Sequence, residues 1–315
     1  MSEQFKKEIE AGLSQTPKTL PSKYFYDEIG DAIFVKIMHS DEYYLTKSEF
    51  EIFKNKSDQI IDAFQIEKDT YFELIELGAG DGLKTKELLK CLQSRGFNFD
   101  YFPIDISQNA LDILEESLKR DLPSIGIQKR QGDYFETLAS FKNTKHPKVV
   151  LFVGSNIGNM ADEVAAQFIY QLGSNLTRND KLLLGVDLKK DASIVKPAYN
   201  DSKGFTSAFN LNLLHRINKE LGANFAIEHF SHEPTYSEDE GIARSYLMSL
   251  KKQDVYIEAL NKSFEFEKGE KIATEISRKY DDKIIEQLIK DTDFKIVEKL
   301  TDDLGYFADY IFTRS

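Results

Sequence analysis

Apolar residues recur at helical spacing along the first part of the chain. FKKEIEAGL, FYDEIGDAIFVKIM and KSEFEIFKNKSDQIIDAF place them three and four apart, the period of a helix with one buried face. Pro17 and Pro21 interrupt TPKTLPSKY between the first two segments and predict a loop there. From Tyr71 the pattern changes to short, nearly continuous apolar runs: YFELIEL, FDYFPIDI, IGIQKRQ, KVVLFVG and KLLLGVD. Amphipathic helical stretches separate most of them, namely LKTKELLKCLQSRG, QNALDILEESLKR and DEVAAQFIYQLGSNL. Continuous apolar strands alternating with helices predict a parallel sheet covered on both faces.

Residues 196–280 depart from that rhythm. AFNLNLLHRINKELG predicts a helix, followed by strand-like pieces in NFAIEHF, RSYLMSL, QDVYIEAL and SFEFEKG. The end of the chain returns to the sheet with a helix in DKIIEQLIKD and two strands, FKIVEKL and YFADYIFT, joined through Asp302, Asp303 and Gly305. The expected architecture is therefore a doubly wound, Rossmann-like α/β sheet with a terminal antiparallel hairpin, plus a second α+β domain. Its division reads as N-terminal helices over 1–56, an α/β core over 57–195, an inserted module over 196–280, and a closing helix and hairpin over 281–315.

Composition narrows the function. The chain has 315 residues, 41% of them apolar, which is enough for a sizeable core. A formal net charge of -12 makes phosphate backbones and anionic lipid poor partners and favours a small molecule. Cys91 is the one cysteine, so neither an intrachain disulfide nor a cysteine-based zinc site is available. The polar opening MSEQFKKEIE and the lack of a long apolar run lead to the expectation of a cytoplasmic protein outside the membrane. Nothing in the pattern requires an oligomer. His229 and His232 form an HxxH pair without a fixed helix face, and no metal is expected.

Candidate chemistry gathers at the ends of the first three strands. Glu76-Leu77-Gly78-Ala79-Gly80-Asp81-Gly82 ends one strand and opens a helix, where glycines allow a sharp turn and close approach of a ligand. Asp105, in FPIDIS, ends the next strand. A carboxylate there can accept both hydroxyls of a ribose, although Asp is also a frequent helix N-cap. Asp133 and Tyr134, in GDYFE, follow the third strand and suit an adenine amine and ring. A nicotinamide dehydrogenase is the competing reading. The G-x-G-x-G spacing and the terminal hairpin favour S-adenosylmethionine.

With these residues placed, the chain resembles the L-histidine Nα-methyltransferases of ergothioneine biosynthesis. The likeness lies in PKTLPSKYFYDEIGDAIF, DEYYLTKSE, ELGAGDGLKT, FPIDIS, GDYFE, LFVGSNIGN, LLLGVDLKKD, AYND with SKGFTSAFNLNLL, and ATEISRKY, in the family's order from about residue 17 onward. The resemblance implies a class I methyltransferase core and a second, substrate-binding domain. It implies that Gly78, Lys84, Asp105, Asp133 and Tyr134 meet the cofactor. Tyr26 matches a tyrosine near the reacting amine. Tyr43, Asn159 and Tyr199 match residues holding the amino acid's backbone groups, with Gly154 contributing through its backbone. Glu275 and Ser277 match the pair that recognises the imidazole. Read from the residues alone, the tyrosines are ordinary packing side chains, Asn159 is a cap of the next helix, and Glu275 and Ser277 are one face of a strand.

Two departures from the family stand out. The loop reads GAGDG where a more hydroxyl-rich loop is expected, and Ser245 occupies a place where the family carries a methionine against the imidazole. Ser245 motivates an alternative acceptor, another amino acid or small amine. A further alternative is a cofactor-binding regulatory protein that has lost its chemistry.

Overall fold

The computed structural model describes residues 3–132, 134–142 and 144–314. They form two compact units, Met1–Tyr44 with Lys190–Arg278, and Leu45–Lys189 with Lys279–Ser315.

The second unit is built on a sheet whose strand order is Phe294–Thr301, Phe307–Arg314, Lys181–Asp187, Lys148–Phe152, Phe72–Leu77, Phe99–Asp105 and Gly126–Ile127. The short Arg130–Gln131 strand also pairs with Phe99–Asp105. The strands from Lys181–Asp187 through Gly126–Ile127 run parallel. Phe307–Arg314 is antiparallel to both of its neighbours, with Phe307 opposite Asp187 and Thr313 opposite Lys181.

Every residue of Phe72–Leu77, Lys148–Phe152 and Lys181–Asp187 is buried, as both-face coverage demands. Alternate side chains feed two cores. Leu74, Val149 and Leu183 pack with the helices Tyr44–Phe64, Thr85–Ser94 and Gln108–Asp121. Ile75, Val150 and Leu184 pack with Asp162–Ser174 and Asp282–Ile289. Connections switch faces between Phe72–Leu77 and Lys148–Phe152, where an open α/β sheet leaves a crevice at its strand ends.

The first unit has a one-sided sheet in the order Lys18–Thr19, Lys271–Arg278, Ile242–Ser249 and Phe230–Ser237. Strict alternation of burial along Ile242–Ser249 shows one face packed and one face wetter. The helix Phe205–Leu221 supplies Phe209, Leu213, Leu214 and Ile217 to the core, which also holds Phe5, Ile9, Leu247 and Ile272. Asp201 starts this helix from outside, accepting from the Phe205 and Thr206 amides at 2.8 and 2.7 Å. Asp27 caps the helix Glu28–Met38 through the Gly30 amide at 2.7 Å.

Several sequence expectations shift. NFAIEHF is not a strand. It carries a 3-10 turn at Ile227–His229, and the strand begins at Phe230 and runs through HEPTYS. That strand has no apolar alternation to reveal it, and its Pro234 is tolerated because the strand lies at the sheet edge. IGIQKRQ splits into two short pieces. The break expected at 56/57 falls at a kink in Tyr44–Phe64, where Lys56 leaves helical geometry, but Ile52 and Phe53 before the kink are fully buried in the sheet's core, so the observed division lies at 44/45. The other two crossings lie at 189/190 and 278/279, rather than 195/196 and 280/281. Among the described residues no helix is long and apolar enough to cross a membrane.

Next to those crossings the chain is pinned twice. Tyr280 donates its amide to the Asp187 carbonyl at 2.8 Å, and the Lys279 ammonium meets the Asp187 carboxylate at 2.7 Å with both side chains wholly buried. Removing one member of such a pair strands the other charge. Lys279→Met should therefore lower unfolding stability by about 3–5 kcal/mol. Denaturant titration checks this; a loss under about 1 kcal/mol, the level of an exposed pair, would contradict it.

Candidate functional site

The glycine loop closes the first strand of the parallel sheet as the spacing predicts. Gly78, Gly80 and Gly82 all have positive φ, of 73°, 53° and 62°. Gly78 requires its hydrogen for space as well, since a Cβ there would lie 2.7 Å from the Tyr134 hydroxyl. Tyr134 opens the helix Tyr134–Ser140 and thus reaches the loop across the strand ends. A Cβ on Gly80 would meet nothing within 4 Å, which leaves the loop's outer side open to a ligand.

Asp105 accepts from the Gly80 amide at 3.2 Å and the Ser107 amide at 2.9 Å. It does not cap the following helix. Ser107 does so, accepting from the Ala110 amide. Ile106, the next residue, is an exposed apolar side chain. Asp133 lies outside the described residues.

Glu76 faces inward. Its carboxylate is buried and takes hydrogen bonds from Thr85 Oγ1 at 2.8 Å and from the Tyr101 hydroxyl, which ties the first strand to the following helix and the neighbouring strand. Burial pushes its pKa up to about 7, with Glu49 adding to the rise and the two hydrogen bonds and Lys84 opposing it. Glu76 thus supports the loop from beneath rather than lining the crevice.

Lys84 sits just before the helix Thr85–Ser94 and pairs with Glu49 of the helix Tyr44–Phe64. Burial works against its charge, yet the Glu49 carboxylate raises its pKa above the ordinary lysine value. Glu49 also accepts from the Gly154 amide, at 2.8 Å to Oε1 and 3.0 Å to Oε2. Any backbone role of Gly154 toward a ligand therefore falls to its carbonyl. Glu49 lies within the family-like DEYYLTKSE stretch, where its spacing gives it no distinction from the neighbouring acids. Its partners come from two other segments, so no local pattern marks it.

Asn159 ends the 3-10 turn Asn156–Asn159 and is exposed. The next helix takes Ala161 as its N-cap, without a side-chain bond, so capping does not account for Asn159.

The remaining candidates belong to the other unit. Tyr26 meets Phe34 and Phe209 edge-on at 5.5 and 5.4 Å, and Phe34 in turn meets Tyr43 at 6.3 Å. The structure thus joins Tyr26 and Tyr43 through one aromatic cluster. Tyr199, at the C-terminal cap of the helix Ala192–Ala198, donates its hydroxyl to Ser277 Oγ at 2.7 Å.

Glu275 and Ser277 lie on the strand Lys271–Arg278 beyond a bulge between Ala273 and Glu275. Past the bulge the register is unbroken, so the two share a face, and Glu275 stands directly opposite Ser245. Thr274 uses its hydroxyl on Asn210 Oδ1 and the Ser245 carbonyl, both at 2.9 Å. Ser245 is 2% exposed, so the departure from the family pattern is a buried neighbour of Glu275.

An α/β sheet with an antiparallel strand near its edge, a glycine loop at the switch point and an acidic end to the next strand define a S-adenosylmethionine-dependent methyltransferase. The model for the family described as histidine-specific, SAM-dependent methyltransferases matches residues 5–314, and the chain belongs to that family. It is 35% identical over 279 residues to a histidine N-alpha-methyltransferase of Mycolicibacterium smegmatis, covering 89% of this chain and 85% of the relative. To the histidine N-alpha-methyltransferase of Mycobacterium tuberculosis it is 33% identical over 303 residues, 96% of this chain and 92% of the other. Ergothioneine biosynthesis protein 1 of Schizosaccharomyces pombe is 30% identical over 271 residues, which are 84% of this chain and 35% of that longer protein. Among solved structures, a S-adenosylmethionine-dependent methyltransferase from Clostridium acetobutylicum superposes with a TM-score of 0.45 at 12% identity, over 82% of this chain and 89% of that one.

The buried Glu76 carboxyl generates a stability prediction. A carboxyl whose pKa is raised on folding, here from an ordinary 4.5 to about 7, stabilises the fold fully below the lower value. That contribution is lost as pH rises through the upper one. Melting temperature should therefore decline from pH 5 to pH 8 in the native protein, and Glu76→Gln should flatten that decline. Parallel melting curves for the two proteins would refute the assignment.

Proposed function

We propose that the chain transfers methyl groups from S-adenosylmethionine to the α-amine of L-histidine, and that successive transfers end at the trimethylated betaine. The observation that carries this reading is the polar face of the Lys271–Arg278 strand, where Glu275 and Ser277 share one side and Tyr199 is bonded to Ser277. An imidazole presents one N–H donor and one acceptor nitrogen. A carboxylate answers the first and a hydroxyl the second. The names of the mycobacterial relatives support the same acceptor. In this reading the unit containing Lys190–Arg278 is the substrate domain, completed by the N-terminal helices.

The cofactor residues fit the same proposal. Asp105 suits the ribose diol, Gly78 and Tyr134 the close approach of the nucleoside, and Lys84 a carboxylate. When bound, the cofactor supplies a methyl group already activated on a sulfonium. The protein is left to position an amine lone pair in line with it and to exclude competing water. The amine must be neutral, because an ammonium has no lone pair. The Asn159 amide can orient an amine without holding it charged as a carboxylate would; a tyrosine hydroxyl such as that of Tyr26, in the other unit, has the same chemistry. A proton leaves the nitrogen for solvent after the first and after the second transfer, and the third leaves a quaternary nitrogen with no N–H.

A second reading, a different amino acid or small amine as acceptor, is favoured by the buried Ser245 opposite Glu275. A relative named 4-dimethylallyltryptophan N-methyltransferase, from Claviceps fusiformis, is 27% identical over 294 residues, which supports a fold able to serve other acceptors.

The deciding experiment incubates the protein with S-adenosylmethionine and L-histidine and reads products by mass. Three sequential additions on the α-amine are expected; cofactor binding without transfer to histidine would shift the reading to an acceptor panel. Asn159→Ala should abolish most turnover while S-adenosylhomocysteine still binds, and full activity in that variant would remove Asn159 from the amine site. Glu275→Ala should raise the KM for histidine about ten- to a hundredfold, the worth of one charge-assisted hydrogen bond, with little change in the KM for the cofactor. Equal changes in both constants would count against its role.

A further inference from the structure

Glu49 is 2% exposed, and its charge is costly where it stands. Packing alone does not call for it, because an apolar residue of similar size would fill the same space. Its partners indicate a different use. Lys84 belongs to the loop after the strand Phe72–Leu77, and Gly154 to the loop after Lys148–Phe152. These are the two loops on either side of the point where the connections change faces. A single carboxylate arriving from the helix Tyr44–Phe64 holds both.

The sheet is shaped to admit it. Gly185 stands on the strand Lys181–Asp187, and a Cβ there would lie 2.2 Å from Glu49 Oε1. The same Cβ would lie 2.9 Å from Asp309 Oδ1, on the strand paired with Gly185. Asp309 is fully buried, and neither of its oxygens has a hydrogen-bond partner among the described residues. Burial and the neighbouring Glu49 charge hold its carboxyl well above the usual range, only partly offset by Lys84. Glu49, not Asp309, is the carboxylate that meets the Lys84 ammonium.

An ammonium has three N–H donors, so Lys84 can serve Glu49 and a ligand carboxylate together. We propose that Glu49 is a positioning residue for the amino-acid end of the methyl donor: it acts through Lys84, which it fixes against the Gly154 loop so that the ammonium meets the donor's carboxylate. This rests on the reading of Lys84 as a contact of that carboxylate.

The test measures equilibrium binding by calorimetry on the full chain with two probes. S-adenosylhomocysteine carries the amino-acid end, and 5′-methylthioadenosine lacks it. Glu49→Gln should weaken S-adenosylhomocysteine about ten- to a hundredfold and leave methylthioadenosine within about twofold. Lys84→Met should produce the same selective loss, and the double variant should be no weaker than Lys84→Met alone, because the two residues act in series. An equal loss for both probes would make Glu49 a merely structural support and overturn the proposal, as would no loss for either. Lys84→Met with S-adenosylhomocysteine affinity intact would remove the premise about Lys84 itself, separately from Glu49. Thermal unfolding of each ligand-free variant reports folding. If Glu49→Gln does not fold, Glu49→Asp, which keeps the charge and shortens the reach by one methylene, is read by the same criteria.

Discussion

A parallel sheet covered on both faces has one place where its connections must part, and here it lies between Phe72–Leu77 and Lys148–Phe152. Helices after one strand go to one face and helices after the other go to the opposite face, so neither can cover the strand ends between them. Backbone amides and polar side chains there need partners that the sheet cannot supply. The glycine loop turns sharply over this gap. Beneath it Glu76 binds Thr85 and Tyr101, and beside it Glu49 binds Lys84 and Gly154. The same geometry that opens a crevice for a nucleoside cofactor thus concentrates charge below it.

The carboxyl groups in that cluster are not equivalent. Glu49 sits against an ammonium and an amide, Glu76 has hydroxyl donors, and Asp309 has no donor among the described residues. Burial raises the proton affinity of Glu76 and Asp309. Of the three, Glu49 is the carboxylate that meets the Lys84 ammonium. Low dielectric makes such an arrangement rigid, since each polar group has few alternatives.

The unit built on the one-sided sheet solves a different problem. Its helix Phe205–Leu221 must cover the sheet while leaving polar side chains near Glu275 and Ser277. Apolar positions of that helix fill the core, and Asn210 bonds Thr274 from within it. The bulge before Glu275 absorbs one extra residue and resets the face of the strand, a device that re-aims side chains. Tyr199 completes this polar face from the end of the preceding helix, Ala192–Ala198.

The parallel strands, most helices, the glycine loop and Asp105 follow from the sequence alone, because each is encoded by local spacing: period two or continuous burial for strands, three to four for helices, glycine where φ must be positive. Family-like motifs added the tyrosines, Asn159 and the Glu275–Ser277 pair as candidates. Tertiary structure decided what local spacing cannot carry. The edge strand at Phe230–Ser237 has no apolar rhythm, so only pairing with Ile242–Ser249 defines it. The meeting of Ser245 with Glu275 depends on cross-strand register. Glu49 looks like one more acid on a charged helix until the chain folds and brings Lys84, Gly154, Gly185 and Asp309 around it. Its environment is made by residues 35, 105, 136 and 260 positions away, a sum of long-range contacts that no window of sequence contains.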